Sequence, residues 1–244
     1  EQTTLLSYFR TFIENFAKRV GVNRTEGSLR SYRNAYNHVE RFMREKYNLS
    51  DIPFSALTLS FIQDYDSHLR TDCRLSPGTI INLTVQLKII VGEAVADGII
   101  TTYPFTGYEP VRPKQKRRYL TSEELQRLMT MPLHRPNLFS CYTGIPYSDM
   151  RLLSKEHLSL ADDGTWWIRS SRRKTGVEFE IPLLDLPLHI MEKYRDTAPD
   201  GKLLPMYSNS TMNLNLKRIA KLCDIDCPLV FHAGRHTYET EITL

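Results

Sequence analysis

The stretch Phe231-His232-Ala233-Gly234-Arg235-His236-Thr237-Tyr238 packs imidazole, guanidinium and hydroxyl groups into eight consecutive residues. If it opens a helix, His232 and Arg235 lie one turn apart and share a face. A guanidinium grips two oxygens of one anion, and an imidazole donates or shuttles a proton near neutral pH. The same residues also suit a capped helix whose histidines pack or face water. What separates the two readings is the company the stretch keeps further up the chain.

Two other stretches carry chemistry of the same kind. Trp166-Trp167-Ile168 follows an Asp162-Asp163-Gly164 turn, and Val177, Phe179 and Ile181 alternate with Glu178 and Glu180, which reads as strand-turn-strand. Lys174-Thr175-Gly176 falls near the bend. Arg172 and Lys174, two residues apart, are expected to project to one side of a strand. Upstream lies Cys141-Tyr142-Thr143-Gly144-Ile145-Pro146-Tyr147-Ser148-Asp149-Met150. Gly144 marks a bend, Pro146 fits the first turn of a following helix, and Asp149 sits where a helix start favours a carboxylate.

Further toward the N-terminus the pattern is helical. Leu5, Tyr8, Phe9, Phe12, Ile13 and Phe16 form one apolar stripe, and Leu29, Tyr32, Tyr36, Val39, Phe42 and Met43 a second. The far side of the second stripe carries Arg30, Arg33, Arg41 and Arg44. Thr58 reads as the N-cap of a third helix through Leu59, Ile62, Tyr65 and Leu69. Ser76-Pro77 opens a fourth and Gly98 closes it. Between Tyr103 and Tyr119 the prolines Pro104, Pro110 and Pro113 break regular structure, and Arg112, Lys114, Lys116, Arg117 and Arg118 crowd together. Thr121-Ser122-Glu123-Glu124 then supplies a capping box. The boundary is placed near residue 112: a helical domain over 1–111, a basic linker over 112–120 and a second domain over 121–244. In the second domain helical patterns cover roughly 121–130, 136–142, 147–155, 185–197, 210–223 and 233 to the end.

With 244 residues, 41% of them hydrophobic, the chain can bury real cores, and its net charge of +4 favours a polyanionic partner. The four cysteines, Cys73, Cys141, Cys223 and Cys227, read as reduced thiols, and Cys223 and Cys227 lack the second pair of a zinc site. No metal or cofactor is expected. No apolar run in the sequence reads as a membrane span of about 20 residues, so no membrane partner is expected and a cytoplasmic location is. The chain opens at Glu1 and not at methionine, so it is expected to be a piece of a longer polypeptide.

The order Thr-Gly-x-x-x-Ser-Asp, a strand lysine before Thr-Gly, then His-x-x-Arg-His-Thr, behind a helical domain and a basic linker, resembles the tyrosine recombinases, the integrases of phages and mobile elements. The resemblance covers nearly the whole chain, including Val95-Ala96-Asp97-Gly98-Ile99-Ile100 and Tyr103-Pro104-Phe105 at the end of the first domain. It implies a mostly α fold with a small β-sheet: an N-terminal four-helix core-binding (SAM-like) domain and a mixed α/β catalytic domain. It implies site-specific cutting and rejoining of double-stranded DNA through a 3′-phosphotyrosyl intermediate, without ATP or metal, by a homo-tetramer on paired sites. Carried over by position, Arg235 would bind the phosphate, His232 assist proton transfer, Lys174 protonate the leaving oxygen and Asp149 support the site. Arg112, Lys114, Lys116, Arg117, Arg118, Arg30 and Arg33 are the expected DNA-backbone contacts.

The chain departs from the family pattern twice. Pro146 stands where the family has an arginine, and Arg172 is expected to replace it from the same strand face as Lys174. The attacking tyrosine, which the family places after His-x-x-Arg-His-Thr, has no counterpart up to Leu244. Tyr238 matches an aromatic packing position, so this chain alone is expected to bind DNA without cutting it. Two rival readings are a non-catalytic DNA-binding accessory protein of the same fold, and a metal-dependent nuclease using Glu178 and Glu180.

Overall fold

The computed structural model describes residues 3–112, 119–130, 136–199 and 201–242. The chain divides into two compact units, Glu1–Lys114 and Gln115–Leu244.

The first unit is a bundle of α1 (Leu5–Ala17), α2 (Glu26–Phe42), α3 (Leu59–Thr71) and α4 (Pro77–Ala96). Each helix begins where the sequence provides a partner for its unpaired N–H groups. Thr25, Thr58 and Ser76 accept from the backbone of Ser28, Phe61 and Thr79, and α1 borrows the Asp51 carboxylate for Leu6 and Ser7. Gly98 ends α4 with φ +72°; its N–H bonds Val95 O and that of Ile99 bonds Ala94 O, a Schellman closure. α2 continues as a wider turn over Met43–Tyr47.

The core of this unit is aromatic. Phe42 is fully buried and meets Tyr47, Phe61, Tyr65 and His68 with ring centroids 5.2–5.4 Å apart. The expectation about apolar runs needs correcting at α4. Its 20 residues are long and apolar enough, by length and composition, to cross a membrane. Thr79, Asn82, Gln86 and Lys88 interrupt the run in the sequence. Its buried residues Ile80, Leu83, Leu87, Ile90, Val91 and Ala94 line the core of the bundle.

The second unit sets helices around a three-stranded antiparallel sheet in the order β1 (Leu158–Leu160), β2 (Trp166–Ser171), β3 (Glu178–Pro182). β1, unread in the sequence, is only three residues long, too short for alternation to show. Ile168 pairs with Leu158 on one side and Ile181 on the other, and Ile168 and Ile181 are buried in the core. Val177 lies outside β3 and is exposed, where the sequence had suggested a strand residue. The helices are α5 (Ser122–Thr130), α6 (Pro136–Thr143), α7 (Tyr147–Met150), α8 (Asp185–Lys193), α9 (Asn209–Leu222) and α10 (Phe231–Thr237). α7 stops far short of 155 and α8 short of 197. α10 begins two residues before 233 and passes into a wider turn over Tyr238–Ile242.

Candidate phosphate-binding site

The bend between α6 and α7 is the centre of the site. Gly144 adopts φ +64°, and a side chain there would fall 2.6 Å from the Tyr238 ring, so only glycine fits both the turn and the packing. Ser140 Oγ donates to Ile145 O at 2.9 Å and Thr143 Oγ1 to Phe139 O at 2.7 Å, fixing the bend from within. Pro146 takes the cap position just before α7 and not its first turn. Cys141, fully buried beside this bend, has its thiol pushed up to about 12 by burial, despite a hydrogen bond with Thr237.

From this bend the structure reaches two distant segments. Asp149, buried in α7, accepts from Ser148 Oγ at 3.1 Å, from Arg172 Nη1 at 3.2 Å and from the Arg173 N–H at 3.2 Å. Arg172 also lies over the Phe179 ring, 4.8 Å from its centroid. The expected strand face shared by Arg172 and Lys174 is not there. β2 ends at Ser171, and residues 172–177 form the loop to β3, closed by Arg172 N–H to Val177 O at 2.8 Å and Gly176 N–H to Arg172 O at 2.7 Å. Arg172 turns inward to Asp149, while Lys174 is exposed and makes no ion pair among the described residues. Glycine at φ +70° (Gly176) lets the loop close so tightly that strand alternation cannot carry through it.

On the other side, α10 is held against α6. Gly234 is the contact point, since a side chain there would come within 2.9 Å of Ser140 Oγ. Phe231 N–H donates to Asn213 Oδ1 of α9 at 2.7 Å, and Thr237 Oγ1 accepts from Leu120 N–H at 2.9 Å. This places Arg235 with Nη1 3.4 Å from Gly144 O and Nε 3.1 Å from Glu239. His232 is exposed on α10, its ring edge-on to His236 at 4.6 Å. Arg172 and Arg235 thus each lean on the segment Gly144–Asp149, one at either end.

The remaining expected residues fall elsewhere. Arg30 and Arg33 are exposed on α2, with Arg33 3.9 Å from Glu26. Arg112 is exposed, and Lys114, Lys116, Arg117 and Arg118 lie outside the described residues. Glu180 pairs with Arg169 at 3.3 Å, and Cys223 and Cys227 are buried free thiols. Among the described residues no group of three His, Cys, Asp or Glu side chains is placed to hold a metal ion.

Sequence reading passed over the outer face of α9. Lys217, Arg218 and Lys221 are exposed together there, and none makes an ion pair among the described residues. Their spacing of one and four residues was the available signal.

Comparison with known proteins agrees with this architecture. The family model described as the phage integrase SAM-like domain matches residues 4–112, and that segment belongs to it. A lambda integrase tetramer bound to a Holliday junction superposes with TM-score 0.72 at 19% identity, over 98% of this chain and 74% of that one. Over nearly its whole length the chain has the fold of that integrase. A lambda integrase dimer bound to a COC′ core site gives TM-score 0.74 at 18% identity, over 97% of this chain and 88% of that one. The Tn1549 transposon integrase in complex with a circular intermediate DNA gives 0.71 at 16%, over 98% and 86%. No curated protein matches the chain in sequence.

Proposed function

We propose that the chain is the DNA-clamping and phosphate-activating part of a site-specific DNA recombinase, an integrase of the tyrosine type acting as a tetramer on paired duplex sites. The observation that carries this is the convergence of Arg172 and Arg235 on the Gly144–Asp149 segment, with Lys174 and His232 exposed on the neighbouring loop and helix. That arrangement suits phosphoryl transfer. As a tyrosine oxygen attacks phosphorus and the bond to the 5′ oxygen breaks, negative charge builds on the other phosphate oxygens. Fixed guanidinium groups offset that charge.

In this reading Arg235 binds the phosphate and Arg172 supplies the second guanidinium in place of the arginine absent at Pro146. Asp149 orients Arg172 through their 3.2 Å contact. Lys174 gives a proton to the departing 5′ oxygen, and His232 assists proton transfer. The attacking tyrosine has no matching position in these residues. Tyr238 is engaged in packing on Gly144, which favours its structural role. Arg30, Arg33, Arg112, the basic segment 114–118 and the α9 face then hold the duplex through its backbone.

The test is equilibrium binding of a labelled duplex to the chain over a range of salt concentrations. Affinity should fall steeply with salt, and Arg235→Ala and Arg172→Ala should each weaken binding and flatten the salt slope by about one. Binding that ignored salt, or variants indistinguishable from the parent, would remove the reading. DNA binding intact in both variants would leave a non-catalytic DNA-binding protein of the same fold as the better description.

A further inference from the structure

Glu239 follows Arg235 by four residues, and its two carboxylate oxygens face different partners. Oε1 lies 3.1 Å from Arg235 Nε, and Oε2 lies 3.6 Å from His236 Nδ1. A carboxylate spread between a guanidinium and an imidazole presents the same two-oxygen edge as a phosphodiester. The pair is a poor device for stabilising a helix. Acid before base is the favourable order at this spacing, and here it is reversed. Glu239 also stands past the C-terminal end of α10, where the helix dipole disfavours negative charge. Both side chains are partly exposed, 35% for Arg235 and 48% for Glu239, so the carboxylate can rotate away into water at small cost.

We infer that Glu239 is a resident stand-in for the DNA phosphate: it occupies the Nε edge of Arg235 in the free protein and sets the anion affinity of the site. The inference rests on the reading above, in which Arg235 binds a backbone phosphate. Glu239 must yield that edge when DNA arrives, and its charge then opposes the phosphate. The site therefore binds more weakly than its cations alone would dictate, whatever the sequence of the duplex.

The test is a four-way comparison of duplex binding by the parent chain, Glu239→Gln, Arg235→Ala and the double variant, using a labelled duplex of mixed sequence at low salt. Glu239→Gln keeps the side-chain shape and removes the charge, and should tighten binding about two- to fivefold. Glu239→Ala should do the same, which covers any local effect of the glutamine amide. In the Arg235→Ala background the gain should vanish. No gain from either Glu239 variant, while Arg235→Ala still weakens binding, overturns this inference and leaves the function intact. An equal gain with and without Arg235 also overturns it, since removal of any negative charge would then suffice. If Arg235→Ala binds like the parent, the underlying reading falls and takes this one with it.

Discussion

Three helices of the first unit and three of the second are secured in different ways. In the first, α2, α3 and α4 are capped by Thr25, Thr58 and Ser76, each reaching only three residues along the chain. In the second, α7, α8 and α10 have no side-chain cap from the residue that precedes them. α10 depends on groups far away in sequence: Asn213 Oδ1 accepts from the Phe231 N–H, and the Leu120 N–H donates to Thr237 Oγ1. α7 is tied through Asp149 to Arg172 and Arg173. A helix closed by its neighbours needs only its core face to be packed. A helix held by distant polar partners can be placed where chemistry needs it, and its position then depends on those partners.

The comparison can be broken at its strongest point first. Phe42→Ala empties the centre of the aromatic core and should cost about 3–5 kcal/mol in urea unfolding, because the bundle is held by apolar burial. A loss under 1 kcal/mol would mean that the first unit has other supports. Asp149→Ala asks the same of the second unit. It strands the half-buried Arg172 and the Arg173 N–H, and about 3 kcal/mol should be lost although hardly any apolar surface is. A much smaller loss would show the loop at 172–177 to be self-supporting. The finest contrast pairs Asn213→Ala with Ser76→Ala, each about 1 kcal/mol. Hydrogen exchange should quicken at the Phe231 amide for the first, eighteen residues from the change. For the second it should quicken only in the opening turn of α4. If Asn213→Ala left Phe231 protected, the long-range cap would have to be abandoned.

The same division marks what could be read from residues alone. The stripes of α1 and α2, the caps at Thr58 and Ser76, the Gly98 closure and the Thr121–Glu124 box all depend on spacings within one turn. The structure repeats them, down to Thr121 N–H on Glu124 at 3.0 Å and Glu124 N–H on Thr121 Oγ1 at 3.3 Å. The helical pattern read over 210–223 is α9, and the structure adds the local cap at Ser208. The failures fall where tertiary contact overrules spacing. α7 was read too long because Tyr147–Met150 is followed by a turn that apolar periodicity does not register. Arg172 was expected beside Lys174, but the loop begins at Arg172 and the buried Asp149 draws its guanidinium inward. Motif order gathered the site residues into one group. The contacts that hold Arg172 and Arg235 in place, Asp149, Gly144 and Glu239, could come only from the folded chain.

The central claim is that Arg172 and Arg235, more than sixty residues apart in sequence, serve a single phosphate. A crystal structure of this chain with duplex DNA tests it most directly. The account predicts one backbone phosphate within hydrogen-bonding distance of both guanidinium groups, with Glu239 turned away from Arg235. A duplex bound with its phosphates on other surfaces, or on only one of the two arginines while Glu239 keeps its place, would contradict it.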